Sequence, residues 1–301
     1  MRKKQCLALL LLLALLGCLA GCGEPPLAQI PRSTGAPQGI QEILWIPPGG
    51  LTGLEGMLET TGGSGTPDGA TLDLLSSHAD GNGTTMALLE TFGDGHQLNI
   101  LYSLTLPSTG RQPTNEELTA LIYLAPAFSP LTYREYSTRA VSYDPDTRCL
   151  YCFASVSFDG PGYTNQALTF RLSDTDQPGQ EGVHCSVTWT PHNKAPHRTA
   201  QDKGGSCTIS PLSLSISLPI SVEAVQDPLS PTDPLTSVQE SVKLVYQDGS
   251  VLDNFGGGWE ADPIKVLNAK PPSGIFRLDA LDHVEILDYT FVFDRQEGGP
   301  P

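Results

Sequence analysis

The residues with the greatest capacity for chemistry are four cysteines in the middle of the chain, Cys149, Cys152, Cys185 and Cys207. Cys149 and Cys152 have the C-x-x-C spacing of a redox motif, but that motif works at a helix N-terminus, where the thiol pKa is lowered. Here the apolar residues around the pair predict a strand over 150–158. A zinc site would need a second C-x-x-C pair, which is missing. We therefore predict structural disulfides, with three possible pairings, and free buried thiols as the alternative.

The remaining residues offer one candidate binding group and no catalytic motif. The sequence contains no G-x-S-x-G elbow, P-loop, H-E-x-x-H motif or dinucleotide-binding fingerprint. His184, His192 and His197 are interpreted as separate histidines rather than as a metal site, and no metal or cofactor is predicted. Trp259 follows three glycines and is the candidate exposed aromatic residue that could line a sugar site. A loop aromatic packed on the protein is the alternative.

The N-terminus has the pattern of a secretory leader that runs into a cysteine. Basic residues at 2–4 precede an apolar run over 6–16, which is shorter than the about 20 residues that a membrane-spanning helix needs. Leu19-Ala20-Gly21-Cys22 resembles a bacterial lipobox, in which the cysteine thiol is lipidated and becomes the mature N-terminus. Leu16-Gly17-Cys18 is a poorer second candidate. The resemblance implies a lipid anchor at Cys22 on the extracytoplasmic face of the cell membrane, because two acyl chains give stable anchoring.

The composition argues against a nucleic-acid partner and favours strands. The chain has 17 basic and 33 acidic residues, a formal net charge of −16, and loss of three basic leader residues would leave 14 against 33, or −19. Nucleic acid needs a basic surface. The 31 glycines and 26 prolines interrupt the chain too often for long helices, and charged residues are only 17% of it. This balance predicts an all-β fold.

The spacing of apolar runs and turns divides the chain into five parts. Residues 1–21 form the leader, 22–68 a tether rich in proline and glycine, and 296–301 a disordered tail. Between them, turn signals recur roughly every 8–12 residues, which is typical of β-sandwiches. We predict two tandem β-sandwich domains, an N-terminal one over 69–200 and a C-terminal one over 201–295.

Four local patterns give sharper predictions. Ile43-Leu44-Trp45-Ile46 is an apolar exception in the tether and is expected to dock on the first domain as a strand. Thr114 and Glu117 have the spacing of a helix capping box, which predicts a short helix, with a strand as the alternative. Leucine and isoleucine alternate with serine over 212–218, so one face of that strand should be buried. The polar segment 191–205 is expected to be the domain boundary or a long loop.

Several strand-and-turn patterns resemble a known family. The second half of the chain resembles the C-terminal Ig-like part of certain Gram-positive proteins. These are anti-sigma-factor-like proteins of unknown function, and the similar part belongs to their extracytoplasmic regions. The resemblance is carried by residues 209–216, 245–250, 256–258 and 278–287. The resemblance extends over about residues 70–295 and implies tandem β-sandwich domains without catalysis. Such proteins usually have a cytoplasmic segment that binds a sigma factor and a helix that spans the membrane. In this sequence we find neither pattern, and the expected membrane link is the lipid anchor at Cys22. Sigma-factor inhibition is therefore not carried over.

These observations predict a class of protein rather than a ligand. We expect a non-enzymatic lipoprotein with a binding or accessory role at the cell envelope, and its partner is an unknown envelope protein or glycan. A carbohydrate-active or other hydrolase on an all-β frame is the alternative, and it would need a convergent pair of carboxylates. A purely structural accessory is a third possibility.

Overall fold

The structure is a computed structural model that describes most of the chain after the leader. The described residues are 29–46, 50, 53–60, 73–75, 84–158, 162–173, 184–224, 238, 240–253, 255–271 and 274–293. The leader with Cys22 and the tail 296–301 lie outside the described residues.

Antiparallel β-strands dominate the described residues, which confirms the predicted all-β fold. The first nine strands are β1 (Leu58–Thr60), β2 (Asp73–Leu75), β3 (Thr85–Gly93), β4 (Gln97–Thr105), β5 (Ala125–Ser129), β6 (Tyr133–Asp144), β7 (Cys149–Phe158), β8 (Leu168–Ser173) and β9 (His184–Trp189). The others are β10 (Arg198–Asp202), β11 (Gly205–Ile209), β12 (Leu214–Ser217), β13 (Lys243–Tyr246), β14 (Val251–Leu252), β15 (Gly256–Ala261), β16 (Ile264–Lys270), β17 (Leu281–Ile286) and β18 (Tyr289–Val292). The helices are α1 (Ile40–Ile43), α2 (Asn115–Ile122) and the 3-10 turns Glu55–Met57 and Val222–Ala224.

The first sandwich consists of two antiparallel sheets, with strand orders β1-β3-β4-β7-β6 and β2-β9-β8-β5. Aromatic side chains fill the space between them. Tyr102 of β4 packs edge-on against Phe170 of β8 with ring centres 5.4 Å apart, and Phe128 of β5 stacks on Phe170 at 4.8 Å. Strand β6 is the last strand of its sheet, and its end is joined to the N-terminal segment by a parallel bridge between Tyr143 and Arg32.

The outer face of this five-stranded sheet is also buried. Strand β4 is buried along nearly its whole length, because one face meets the aromatic core and the other lies under the N-terminal segment. This outer cluster contains Ile40, Ile43, Ile46, Met57, Phe92, Leu101, Phe153 and Leu212. The described part of the predicted tether is therefore folded onto the first sandwich, and residues 43–46 dock as a helix end and turn rather than as a strand.

The second sandwich has the strand orders β10-β11-β12-β16-β15 and β14-β13-β17-β18. Its strand β12 follows the predicted alternation, since Leu214 and Ile216 are buried whereas the serines after them are half-buried. The segment 191–205 is only partly a loop. Strand β10 begins at Arg198 and pairs with β11 in a hairpin, because the tight Lys203-Gly204 turn returns the chain on itself.

Direct contacts join the two sandwiches. Asp94, in the turn between β3 and β4, accepts hydrogen bonds from the hydroxyls of Ser210 and Ser213, the second at 2.6 Å. Leu212, between these serines, is 5% exposed and belongs to the outer cluster. The two sandwiches therefore share a small buried contact made by both polar and apolar side chains.

The predicted helix cap is confirmed. Glu117 donates its backbone N–H to the Thr114 hydroxyl at 3.2 Å, and its carboxylate accepts the Thr114 backbone N–H at 2.8 Å. Two N–H groups without helical partners are thereby satisfied, and the helical alternative prevails at this position.

Candidate functional site

The four cysteines predicted to form disulfides are free thiols, and all four are buried. Cys149 and Cys152 both lie on β7, where a three-residue spacing directs their side chains to opposite faces of the sheet. Cys152 and Cys185 lie in the core of the first sandwich, whereas Cys207 lies in the core of the second. This distribution corrects the disulfide prediction in favour of the alternative, free buried thiols.

The thiols have the properties of core residues. Burial raises the pKa of the Cys152 thiol to about 12 and also raises the pKa of Cys207. A protonated thiol is a weak nucleophile and a poor metal ligand. Within the described ranges, no cluster of three or more His, Cys, Asp or Glu residues is placed to hold a metal ion.

Trp259 is not the exposed loop residue that the sequence suggested. It lies on β15, opposite Val266 of β16, and is partly buried against the second core. The glycine-rich residues before it form the start of that strand. The packed alternative is therefore correct, and Trp259 offers little free surface to a ligand.

An open groove lies between the N-terminal segment and the edge strand β6. Its volume is about 510 Å³. It is lined by Pro31, residues 33–38, Glu42, Ile43, Trp45 and residues 139–142. We call it the Trp45 groove, because its most exposed large side chain is Trp45, 84% of which is accessible to solvent.

A specific helix cap holds Trp45 in place. The N–H of Trp45 donates to the carbonyl oxygen of Glu42 at 3.1 Å, and the N–H of Ile46 donates to that of Gln41 at 3.0 Å. These are the two bonds of a Schellman motif, whose left-handed residue is usually glycine. Trp45 takes that position with a φ of 58°, which is rare for a bulky side chain. The cap thus presents a large ring to solvent from a strained backbone position.

The cap is fixed to the first sandwich on both sides. Ile40 and Ile43 are buried in the outer cluster, and the N–H of Ile40 donates to a carboxylate oxygen of Glu90 at 2.6 Å. Arg139 of β6 donates through Nη2 to the carbonyl oxygen of Ile43 at 3.1 Å, and its guanidinium lies 5.5 Å from the ring centre of Phe153. Arg139 therefore links the edge strand to α1.

Polar groups surround the indole. Glu42, Gln38 and Thr34 line the groove and are exposed, and no hydrogen bond joins their side chains to another described residue. A hydrogen bond to strand β6 fixes the loop that carries Thr34, because Asp144 accepts the backbone N–H of Gly35 at 2.9 Å. That hydrogen bond is the main reason that the pKa of Asp144 lies below its usual value. The backbone around the groove is thus held by hydrogen bonds, and polar side chains that face solvent are available to a ligand.

A second polar cluster surrounds Glu59 on β1. Its carboxylate accepts hydrogen bonds from the Thr91 hydroxyl, at 3.3 Å, and from the backbone N–H of His192. Burial raises the pKa of Glu59, and the His192 hydrogen bond opposes this rise. The His192 ring lies 2.8 Å from the side-chain oxygen of Asn165. A hydroxyl and a main-chain amide thus hold Glu59 in place, which differs from the paired carboxylates that the hydrolase alternative needs.

Comparisons with known proteins identify no family. No family model matches the chain, and no curated protein matches it. A solved structure, the conserved domain protein from Bacillus anthracis, is similar with a TM-score of 0.34 and 10% identity, over 71% of this chain and 75% of that one. None of the helices in the described ranges has the length and apolar character needed to cross a membrane.

Sequence reasoning found the docking segment but missed its exposed ring. The apolar character of residues 43–46 predicted docking as a strand and did not indicate that the Trp45 ring would face solvent. The available signal was the spacing of Ile40, Ile43 and Leu44, which is that of one helical face. Trp45 falls just beyond that face.

Proposed function

We propose that this chain is a lipid-anchored protein of the extracytoplasmic membrane face that binds an envelope component in the Trp45 groove and catalyses no reaction. The observation that carries the proposal is the exposed indole of Trp45, held at φ 58° by a cap that favours glycine. Strained backbone positions cluster at binding and catalytic sites. Exposed tryptophans are also typical of binding hot spots.

The position of the groove along the chain supports an envelope ligand. If Cys22 carries the lipid, seven residues lead from it to Gln29, the first described residue. Seven extended residues span at most about 25 Å. The groove uses residues 31–45, so it belongs to the part of the fold nearest the proposed anchor. A partner in or close to the membrane and cell wall is therefore within reach.

The anchor is tested by replacing the proposed lipidation site. Cys22→Ala should abolish incorporation of labelled palmitate and leave the unprocessed precursor, because no thiol remains at the cleavage site. Cys18→Ala is the matched control and should be processed normally. Unchanged labelling of Cys22→Ala, or loss of labelling in Cys18→Ala alone, would contradict the assignment.

The binding role is tested by comparing two exposed aromatic residues. Tyr123 is 77% exposed, follows α2, and lies outside the groove. The detergent-solubilised protein is immobilised, and the solubilised envelope protein and carbohydrate that it retains are quantified. Trp45→Ala should lower retention by about tenfold, the effect of losing one good contact, whereas Tyr123→Ala should not. Equal retention by all three proteins would refute the role of the groove.

A further inference from the structure

We infer that the Trp45 groove binds an uncharged glycan built of pyranose rings. The inference rests on the proposed binding function and names its ligand class. Its first support is the indole itself. One face of a pyranose ring presents several C–H bonds, which carry a slight positive charge, and the face of an indole carries a slight negative charge. An exposed tryptophan whose backbone is held by a helix cap therefore offers a platform on which a sugar ring can stack.

The second support is the set of polar groups beside the ring. Sugar hydroxyls both donate and accept, so a glycan site needs acceptors and donors around its aromatic platform. Glu42 supplies an acidic acceptor, Gln38 an amide with both capacities, and Thr34 a hydroxyl. All three line the same groove as Trp45 and are exposed.

Arg139 adds donors from the opposite side of the groove. One of its amino groups is used by the carbonyl oxygen of Ile43, at 3.1 Å. A guanidinium carries five N–H donors, and no hydrogen bond joins the others to another described residue. Since its position is fixed by Ile43 and Phe153, Arg139 can hold a ligand hydroxyl without first being ordered.

The volume of the groove and the net charge of the chain restrict the class of ligand further. The groove volume of about 510 Å³ lies within the roughly 300–1,000 Å³ typical of sites for small ligands, so a short stretch of a glycan fits. The chain has a formal net charge of −16, which repels polyanionic polymers. Within the groove, the charges of Glu42 and Arg139 offset each other, so there is no excess of positive charge to hold a polyanion. An uncharged glycan meets no such penalty.

Two other occupants fit the observations less well. A tryptophan could dip into the membrane surface, but a carboxylate and an amide beside it would then lose water without gaining partners. A peptide could pair with the edge of β6, but the N-terminal segment already bridges that edge at Tyr143. Both alternatives are outcomes of the experiment below.

The experiment titrates the lipid-anchored protein, reconstituted in phosphatidylcholine vesicles, with uncharged oligosaccharides of glucose, galactose, mannose or N-acetylglucosamine. The chain has three tryptophans, of which Trp189 is buried and Trp259 is partly buried. The fluorescence change should therefore come mainly from Trp45. We expect at least one series to bind the wild type. Isothermal calorimetry, which does not depend on the indole, should show the affinity lowered about tenfold or more in Trp45→Ala.

Two further variants guard against trivial loss of binding. Glycine suits the left-handed cap position better than tryptophan does, so Trp45→Gly should stay folded. It should nevertheless lose binding of the glycan, which isothermal calorimetry measures without relying on the indole. Tyr123→Ala should bind as the wild type does.

The outcomes separate this inference from the proposed function. Binding of an uncharged oligosaccharide that depends on Trp45 supports both. No binding to any series up to millimolar concentration overturns the glycan inference, as does quenching of Trp45 by brominated lipid in the vesicles or competition only by a peptide. If retention of envelope material still depends on Trp45 in that case, the proposed function stands with a different ligand.

Discussion

Trp45 occupies a backbone position at which glycine would be more stable. The Schellman bonds to Glu42 and Gln41 require a left-handed residue, and the φ of 58° places a Cβ atom where it is crowded. Left-handed conformations cost L-residues roughly 1–2 kcal/mol. The ring is 84% exposed and gains little from packing in return. Packing of the ring therefore does not offset the strain at this position.

Replacing Trp45 with glycine should stabilise the protein. We expect Trp45→Gly to raise the free energy of unfolding by about 0.5–1 kcal/mol, because the strain at the cap is relieved. Trp45→Ala is the control, since it removes the ring and keeps the strain. Chemical denaturation measures both variants. A Trp45→Gly variant no more stable than Trp45→Ala would show that the cap is not strained.

Among the candidate site residues, sequence reasoning failed where packing decides. The lipidation site at Cys22 rests on a local motif and remains a prediction. The disulfide prediction failed because pairing depends on the positions of the cysteines in the fold. Cys152 and Cys207 lie in different cores, and Cys152 and Cys185 share one core but remain free thiols. The Trp259 prediction failed because the glycines before it form the start of strand β15, which places the ring against the second core.

At the scale of elements, strands with clear alternation and bounded by turns were predictable. Strand β7 appears at 149–158, where the apolar residues predicted a strand over 150–158, and β12 keeps the predicted burial of Leu214 and Ile216. The hairpin of β10 and β11 was missed because its residues are polar, and it is stable only through pairing and through the core under Ala200 and Cys207. Such strands are determined by their neighbours rather than by their own sequence.

Strand β17 carries a histidine that should make stability depend on pH. The ring of His283 lies 2.8 Å from the Asp282 carboxylate and 3.1 Å from that of Glu285. Burial opposes the charged form, but these two hydrogen bonds outweigh it and raise the pKa of His283 above 6.5. Its cross-strand neighbours, Val245 and Val292, are uncharged.

Because the pKa is raised in the folded state, the protonated ring stabilises the fold. This contribution is complete below the unfolded-state pKa and is lost as the pH rises through the folded-state value. Wild type should therefore exceed His283→Gln in unfolding free energy by more at about pH 5.5 than at about pH 8.5. Urea denaturation at both values measures the difference. A difference that is constant or grows with pH would contradict the ion pairs.

At the scale of the whole molecule, the two sandwiches are coupled through a small contact. Leu212, which precedes strand β12 of the second sandwich, packs in the outer cluster with Leu101 and Phe153 of the first sandwich. The serines beside it bind Asp94. The segment that forms the Trp45 groove packs on the same cluster, so this contact also supports the groove.

Shortening Leu212 should loosen both sandwiches. A buried Leu→Ala change costs about 2–5 kcal/mol, and here the loss should raise hydrogen exchange in β4 and β7 as well as around residue 212. Leu214→Ala is the matched control, because Leu214 is buried within the second core alone. Hydrogen exchange with mass spectrometry reads each sandwich separately. If Leu212→Ala affects only the second sandwich, the coupling does not exist.

The proposed contact between the Trp45 groove and an envelope ligand can be tested by photo-crosslinking in living cells. Benzoylphenylalanine is placed at Ala36, which lines the groove, or at Tyr123 as a control, in the lipid-anchored protein, so that Trp45 itself is kept. We expect a discrete crosslinked envelope component at position 36 and none at position 123. No crosslinking at position 36, or the same crosslinking at both positions, would contradict the proposed role of the groove.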